Sequence, residues 1–438
     1  MERFWVKNFG CRASQADGAA IEAGLASKGL AASELGEADL VVLNTCTVTA
    51  TADDEVRQTV RRIRRERPEA RILVTGCYAQ RAPEEIARLD GVSLVVGNSH
   101  KTQIAELATA DDFQQPDYHG QIAIGDIFAQ TDFLSAPVED AAGDRTRPNL
   151  KIQDGCNNRC SFCIIPYVRG RSRSAPLEKV MEQVRTLGTN YREVVLSGIN
   201  LGRWGRDLAA ADAKSKVRLV DLVRKLLAET PVERLRLSSV EPMDFSDDLL
   251  VLMAESARVA KHVHAPLQSG SDAVLRRMHR KYRPRHYADR IAKARALMPE
   301  CAVGADVMTG FPGETDAEFE ESRAFIESLP FTYLHVFTYS ERPGTPAAES
   351  LTQVPQSVRK DRTRILRDLG ARKGLEFRQS LVGKTLSVVT LSSGEALSDN
   401  FVKVALARPR QANRIESIRV GGVTRDGVYE AGAITILQ

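Results

Sequence analysis

Over the first hundred residues, short apolar runs alternate with longer stretches in which apolar side chains recur every three or four positions. "RFWVKNFG" is followed by a helical stretch from about Asp17 to Lys28, "ADLVVLNT" by one from about Ala52 to Glu66, and "ARILVTG" by one around Pro83 to Leu89. "VSLVVGNS" closes the series. Apolar strands separated by helices predict a parallel sheet of the doubly wound kind, spanning residues 1–100.

From Asn149 the same alternation returns through six strand-like runs: "NLKIQDG", "EVVLSGIN", "RLRLSSVEP", "KHVHAPLQSG", "AVGADVMTGFPG" and "YLHVFTYSERPG". Helical stretches such as Pro176 to Leu187 and Leu219 to Glu229 separate them. Each run passes into Gly, Ser, Asn or Pro at its carboxyl end. Six such units predict a partial barrel over residues 148–378, with its chemistry at the carboxyl-end mouth. A helix from about Gln356 to Phe377 follows the last strand.

Two regions break this rhythm. Residues 101–147 are rich in Pro, Asp and Gly and read as a connecting segment, with room for one short strand in the apolar island "IAIGDIF". Over residues 379–438, "TLSVVTLS", "DNFVKVALA", "RIESIRVGG" and "GAITILQ" alternate in period two, which predicts a small antiparallel β module. The polar insertion "GRDLAAADAKSK" (Gly205 to Lys216) reads only as an exposed loop. The expected fold is α/β and multidomain.

Composition narrows this little. With 438 residues, 43% hydrophobic and 27% charged, the chain is ordinary for a soluble protein of several domains. No apolar run approaches the roughly 20 residues of a membrane helix, and the first residues read as a strand rather than a targeting signal. Seven cysteines, an odd number, are spaced unlike a secreted disulfide scaffold, so a reducing, cytoplasmic setting is expected. A net charge of +4 permits a polyanionic partner without requiring one.

The cysteines change the picture. Three predicted strands of the first sheet end in "FGC" (Cys11), "NTC" (Cys46) and "TGC" (Cys77). Strand ends of a parallel sheet converge along one edge, where ligands bind. One cysteine there reads as a small buried residue, and a redox disulfide would leave one thiol over; a three-thiolate metal site uses all three. Cys156, Cys160 and Cys163 form a second trio within eight residues, directly after the barrel's first strand. That spacing is too tight for separate elements, so they share one loop. Thiolates select soft metals or iron–sulfur clusters. A zinc ribbon would want a further cysteine pair nearby, and Cys301, ahead of the fifth strand, reads as a packed residue. A 4Fe-4S cluster held by three cysteines keeps one iron open, which can bind the amino and carboxylate groups of S-adenosylmethionine (SAM).

Cys-x3-Cys-x2-Cys in this setting, with the aromatic Phe162 before the last cysteine, resembles the radical SAM superfamily. "FGCRASQ", "NTCTVTATAD", "TGCYAQ", "CNNRCSFCIIPYVRGRSRS", "HAPLQSGSDAVLRRMHRKY" and "GADVMTGFPGET" together resemble the methylthiotransferases, over essentially the whole chain. The C-terminal module resembles a TRAM domain, a type that binds RNA in several members. The resemblance implies two 4Fe-4S clusters: one on Cys156, Cys160 and Cys163 that cleaves SAM, and an auxiliary one on Cys11, Cys46 and Cys77 that supplies or activates sulfur. It implies a methylthio group replacing hydrogen on an unactivated carbon, with SAM serving both as methyl donor and as radical source. An electron donor and a sulfur source are also needed, and the sequence identifies neither. Phe162, Gly198, Ser238, Ser239 and Asp306 are expected SAM contacts; a packing role for Phe162 and turn or cap roles for the rest weigh equally. His262 and His264 flank an apolar strand position and read as structural.

Two arginine runs bear on the substrate. "RRIRRER" (Arg61 to Arg67) reads as a solvated helix face, whereas "RGRSRS", with Arg169 to Arg173, follows the SAM-cluster loop and suits phosphate. With a TRAM-like module this points to a structured RNA. "NTCTVT" and "GCYAQ" most resemble the bacterial members acting on threonylcarbamoyladenosine in tRNA, next to the anticodon. Arg12-Ala13 departs from that subgroup's Lys-Val, so members acting on isopentenyladenosine in tRNA, or on a ribosomal protein aspartate, stay open. A non-catalytic RNA-binding protein with structural metal sites would need saturated coordination, which the missing fourth cysteines argue against.

Overall fold

The computed structural model describes residues 1–110, 113, 120–134, 146–208 and 217–432. Its first unit is a six-stranded, all-parallel sheet in the order Ala31–Ala32, Arg3–Asn8, Leu40–Thr45, Arg71–Gly76, Val92–Gly97, Gln121–Ala123. Alternation along the central strands sorts the two faces. Val41, Leu43, Ile72 and Val74 pack beneath the helix Ala50–Glu66, while Leu40, Val42, Leu73 and Leu94 pack beneath the helix Arg12–Ser27. The sheet extends beyond the expected boundary. Gln121–Ala123 pairs with the fifth strand, and a short helix, Ile104–Thr109, precedes it, so part of the connecting segment belongs to this sheet. The first helix starts at Arg12 rather than near Asp17, because Cys11, in an extended conformation, already occupies its N-cap position.

Six parallel strands follow, at Asn149–Asp154, Glu193–Gly198, Arg234–Leu237, His262–His264, Ala302–Thr309 and Tyr333–Thr338. A parallel bridge between Leu235 and Val259 joins the first three to the last three. Outer helices, including Leu177–Asn190, Leu219–Glu229, Pro284–Leu297, Asp316–Ser328 and Gln356–Ser380, cover a single continuous core.

Six strands leave a barrel open on one side, and the first unit fills that side. Its leading helix bonds to the first barrel strand: Asn149 Nδ2 donates to Arg12 O at 2.9 Å, and Lys151 pairs with Asp17. Its second cysteine loop reaches the segment after the last strand. There Ser340 Oγ accepts from Ala50 N at 3.1 Å, and Arg342 pairs with Asp53 at 2.8 Å. The cysteine-bearing edge therefore spans the gap between the barrel's first and last strands.

The C-terminal module is a closed five-stranded barrel, with strands at Thr385–Thr390, Glu395–Ser398, Lys403–Ala405, Ile415–Val423 and Val428–Glu430. The expectation of a purely antiparallel module is corrected: Lys403–Ala405 and Val428–Glu430 pair in parallel, which is what closes the barrel. Val428–Glu430 lies between the expected strands "RIESIRVGG" and "GAITILQ", and the latter falls, beyond Gly432, outside the described residues. This module packs at the amino ends of the large barrel's strands. Arg236 pairs with Glu193 at 2.7 Å and donates to Ser398 O at 2.9 Å, while Asn413 Nδ2 donates to Asn190 O at 2.7 Å. Of the polar insertion, residues 209–216 lie outside the described residues. Its start is anchored, with Asp207 accepting from Ser174 N at 2.7 Å and Arg206 pairing with Asp244 at 2.9 Å.

Candidate metal and cofactor centre

Cys11, Cys46 and Cys77 follow three adjacent strands of the first sheet, in the order Arg3–Asn8, Leu40–Thr45, Arg71–Gly76. Two glycines bring their loops together. Gly10 sits at φ +89°, where a Cβ would lie 2.6 Å from Cys46 Cβ and 2.8 Å from its Sγ. Gly76 sits at φ +98°, where a Cβ would meet Thr45 O at 2.4 Å. Only glycine fits either position, by space and by backbone conformation. Burial pushes the Cys46 thiol up to about 12, and the neighbouring Cys77 and Cys11 add to the shift. Such mutually coupled thiols suit a cationic group that takes them as thiolates, releasing protons as it binds.

Cys156, Cys160 and Cys163 lie on the loop after the first barrel strand, as one segment. Burial pushes Cys163 up to about 12, with Cys160 contributing, and burial also raises Cys156. All seven cysteines are free thiols. Cys301 is fully buried and belongs to the barrel core, away from both trios.

Nitrogen donors approach sulfur in both trios. Arg280 Nη1 lies 3.3 Å from Cys160 Sγ, Asn200 Nδ2 lies 3.7 Å from Cys156 Sγ, and Asn158 N lies 3.4 Å from the same sulfur. At the other trio, Asn98 Nδ2 lies 3.7 Å from Cys77 Sγ and donates to Val168 O at 2.7 Å. Hydrogen bonds to thiolate sulfur are a principal control on the potential of an iron–sulfur cluster. With soft sulfur donors, this set suits such a cluster better than a hard cation. Sequence reading missed Arg280, Asn200 and Asn98. Arg280 and Asn200 lie inside motifs already singled out, and Asn98 has no signal of its own.

The two trios are physically connected. Cys77 packs against Ile164 and Val168, on the loop and short helix that follow the second trio. Behind them lies a fully buried ion network. Asp17 accepts from Lys101 at 2.9 Å, from Arg169 at 3.0 Å and from Lys151, while Asp154 accepts from Arg169 and Lys151 at 2.9 Å each. Burial alone would raise Asp17, and Lys101, Lys151 and Arg169 together hold it well below the usual carboxylate range. Three cations against two carboxylates leave an excess of one positive charge, and Arg169 feels both Cys77 and Cys11.

This corrects the reading of the second arginine run. Arg169 is buried in the network and Arg173 donates to the backbone oxygens of Arg169 and Arg171, so within the run Arg171 is the exposed guanidinium. In the first run, Arg64 pairs with Asp90 and Arg67 donates to Ala38 O. Both runs do structural work that a charge count cannot reveal.

A cavity of ≈ 240 Å³ opens between the units. Val48 and Thr49, just after Cys46, line one side, Phe162 to Ile165 another, and Gln268, Asp306, Phe337 and Arg342 the strands opposite. Phe162 also packs edge-on against Phe311, with ring centroids 6.5 Å apart. Of the five expected SAM contacts, Phe162 and Asp306 thus share this cavity. Gly198 lies instead against Gln153, whose Oε1 accepts from Asn200 N at 2.6 Å. Ser238 presents a buried hydroxyl with no hydrogen-bond partner among the described residues, and Ser239 Oγ lies 3.0 Å from His264 Nδ1. His262 is packed, stacking on Phe401 of the C-terminal barrel at 4.3 Å.

Comparison with known proteins agrees with this arrangement. Residues 150–326 match the family described as the radical SAM superfamily, and residues 3–97 match the one described as uncharacterized protein family UPF0004. The chain is 38% identical to the threonylcarbamoyladenosine tRNA methylthiotransferase MtaB of Bacillus subtilis, over 84% of this chain and 82% of that one. It is 34% identical to the enzyme of the same name from Aquifex aeolicus, over 91% and 95%. A tRNA-2-methylthio-N(6)-dimethylallyladenosine synthase of Novosphingobium aromaticivorans is also 34% identical, over 90% and 87%. Among solved structures, the radical S-adenosylmethionine methyltransferase TsrM of Kitasatospora setae superimposes with a TM-score of 0.57 at 16% identity, covering 80% of this chain and 77% of that one, which speaks to fold alone. A radical SAM domain carries a 4Fe-4S cluster and SAM. On fold, cysteine loops and whole-length identity together, the chain belongs to the radical SAM methylthiotransferase family.

Proposed function

We propose that this protein transfers a methylthio group to carbon 2 of N6-threonylcarbamoyladenosine in tRNA. The observation that carries the reading is that two cysteine trios, from separate units, meet where Cys77 packs on Ile164 and Val168, beside a cavity lined by Cys163 and by the Val48–Thr49 loop that follows Cys46. Cys156, Cys160 and Cys163 would hold the SAM-binding cluster, and Cys11, Cys46 and Cys77 a second 4Fe-4S cluster. When bound, the two groups supply reductive cleavage of SAM and a sulfur-bearing iron, chemistry that no side chain provides. Phe162 and Ser238 would touch SAM, and Gly198 would admit its methionine part beside Gln153. Arg280 and Asn200 steady the first set of sulfurs, and Asn98 the second.

The threonylcarbamoyl group carries a carboxylate. Arg342 is the cation among the residues that line the cavity; it shares Asp53 with Arg81 at 2.8 and 3.0 Å, and Arg81 also reaches Glu85 at 3.9 Å. A guanidinium in the lining gives the threonylcarbamoyl carboxylate a partner that the apolar dimethylallyl group could not use. The similarity to dimethylallyladenosine synthases keeps the second reading open to test. The terminal barrel, joined at the amino ends of the strands, would bind the tRNA body, and an electron donor and a sulfur source are required as further partners. Mass spectrometry of tRNA nucleosides from cells with and without the gene decides the substrate. Loss of methylthiolated threonylcarbamoyladenosine supports the proposal, and loss of the dimethylallyl counterpart instead overturns it in favour of the sister activity.

A further inference from the structure

The inner face of the last three barrel strands carries a constellation that neither cysteine trio uses. His264 ends the strand His262–His264, Asp306 lies within Ala302–Thr309, and His335 within Tyr333–Thr338. These strands are parallel neighbours. Asp306 is paired in register with His335, and His264 with Gly304, two positions before Asp306. The three side chains therefore project from one face of the sheet. His264 Nε2 lies 3.3 Å and His335 Nδ1 lies 3.2 Å from the same oxygen of Asp306. One donor atom from each residue falls within 4.8 Å of the others.

A simpler reading makes Asp306 a shared hydrogen-bond acceptor for two imidazoles. That reading leaves a polar atom unexplained. His264 is buried, its Nδ1 is taken by Ser239 Oγ at 3.0 Å, and its Nε2, although close to Asp306, has no hydrogen bond of acceptable geometry. An imidazole fixed through one nitrogen while the other faces a carboxylate and a second imidazole is the arrangement of a metal ligand with its outer-shell partner. Two donors each about 2.0–2.1 Å from a tetrahedral ion stand about 3.3 Å apart, close to the 3.3 and 3.2 Å from Asp306 to the two imidazoles.

We propose that His264, Asp306 and His335 bind one divalent first-row cation of the zinc class. Three protein ligands leave a tetrahedral ion one open position, for water or a substrate oxygen. Asp306 also lines the ≈ 240 Å³ cavity between the two units, so that position is within reach of whatever the cavity admits. The site is separate from both cysteine trios, and its nitrogen and oxygen donors suit a different ion from the one that soft sulfur selects.

The test uses protein with both clusters reconstituted, so that the thiolates are already occupied. It is given one equivalent of Zn²⁺, desalted, and examined by zinc X-ray absorption. The expected result is about one zinc retained per chain, with nitrogen and oxygen scatterers at about 2.0–2.1 Å and none at the 2.3 Å of a thiolate. His335→Ala and Asp306→Asn should weaken retention at least tenfold, at unchanged cluster absorption and far-ultraviolet dichroism. His335 is half exposed, so its truncation spares the core and decides the matter if the Asp306 variant misfolds. Zinc lost from the wild-type protein on desalting, zinc on sulfur, or equal retention in His335→Ala would each overturn the proposal. The readout is occupancy rather than turnover, so the result stands apart from which nucleoside the enzyme modifies.

Discussion

Cys156, Cys160 and Cys163 lie within eight residues on a single loop, whereas Cys11, Cys46 and Cys77 come together from three strand ends of one sheet. The first trio is local: its geometry depends on one segment and on the donors Arg280 and Asn200 that approach it. The second is tertiary, and exists only while the sheet is folded and Gly10 and Gly76 hold their loops in close contact. The sheet in turn is fixed against the barrel by the buried network around Asp17. A local site should tolerate damage elsewhere in the fold, and a tertiary site should not.

The largest expected effect separates the trios by function. Cys160→Ala should abolish both SAM cleavage and methylthiolation, while Cys46→Ala should keep SAM cleavage and lose methylthiolation by at least about a thousandfold. Assaying 5′-deoxyadenosine and modified tRNA side by side checks this. Loss of SAM cleavage in both variants would remove the distinction.

Next comes the network that joins the two units. Asp17→Ala leaves Lys101, Lys151 and Arg169 short of a carboxylate, and breaking a buried pair of this kind costs about 3–5 kcal/mol. Denaturant unfolding should show that loss at neutral pH. Because the folded protein holds Asp17 below its ordinary value near 3.9, the contribution of this carboxylate is complete above about pH 4 and is lost as the pH falls further. The variant should therefore lose less stability than the wild type on acidification below pH 4. Equal slopes would show that the carboxylate is not the titrating partner.

Gly10→Ala tests the tertiary site more narrowly. Forcing an alanine to a positive φ against Cys46 should cost about 1–3 kcal/mol, and roughly half the iron should be lost while SAM cleavage persists. Full iron content in this variant would mean that the loops have more room than the structure gives them. The smallest effect concerns tuning. Arg280→Gln removes a cationic donor 3.3 Å from Cys160 Sγ, and should lower the potential of the SAM-cleaving cluster by up to roughly 100 mV. Asn98→Ala should shift only the other cluster, as redox-monitored paramagnetic resonance would report.

The same contrast explains what was legible in the sequence. Periodicity located the two α/β units, because each strand is short, apolar and stopped by glycine or a polar residue. It placed Cys11, Cys46 and Cys77 at equivalent strand ends, from which convergence follows once the strands are parallel neighbours. The Cys156 to Cys163 loop needed no tertiary information at all. Residues whose work lies across an interface stayed invisible. Arg169 looked like a phosphate ligand because its partners, Asp17 and Asp154, lie 152 and 15 residues away. Lys101 is a single lysine in a segment that resembled a linker. Gln121–Ala123 overlaps the apolar island that left room for a short strand, but that it joins the first sheet, along the edge of the fifth strand, was not legible. His264 read as packing, and only the register of three strands sets it beside Asp306 and His335.

The central claim is that each trio holds its own cluster. Its most direct test is iron counted by ⁵⁷Fe Mössbauer spectroscopy, after anaerobic reconstitution, in two triple variants: Cys156, Cys160 and Cys163 all to alanine, and Cys11, Cys46 and Cys77 all to alanine. Each should retain one 4Fe-4S cluster, half the iron of the wild type, and only the second should still cleave SAM. A variant that keeps all of the iron, or both variants left with none, would contradict it.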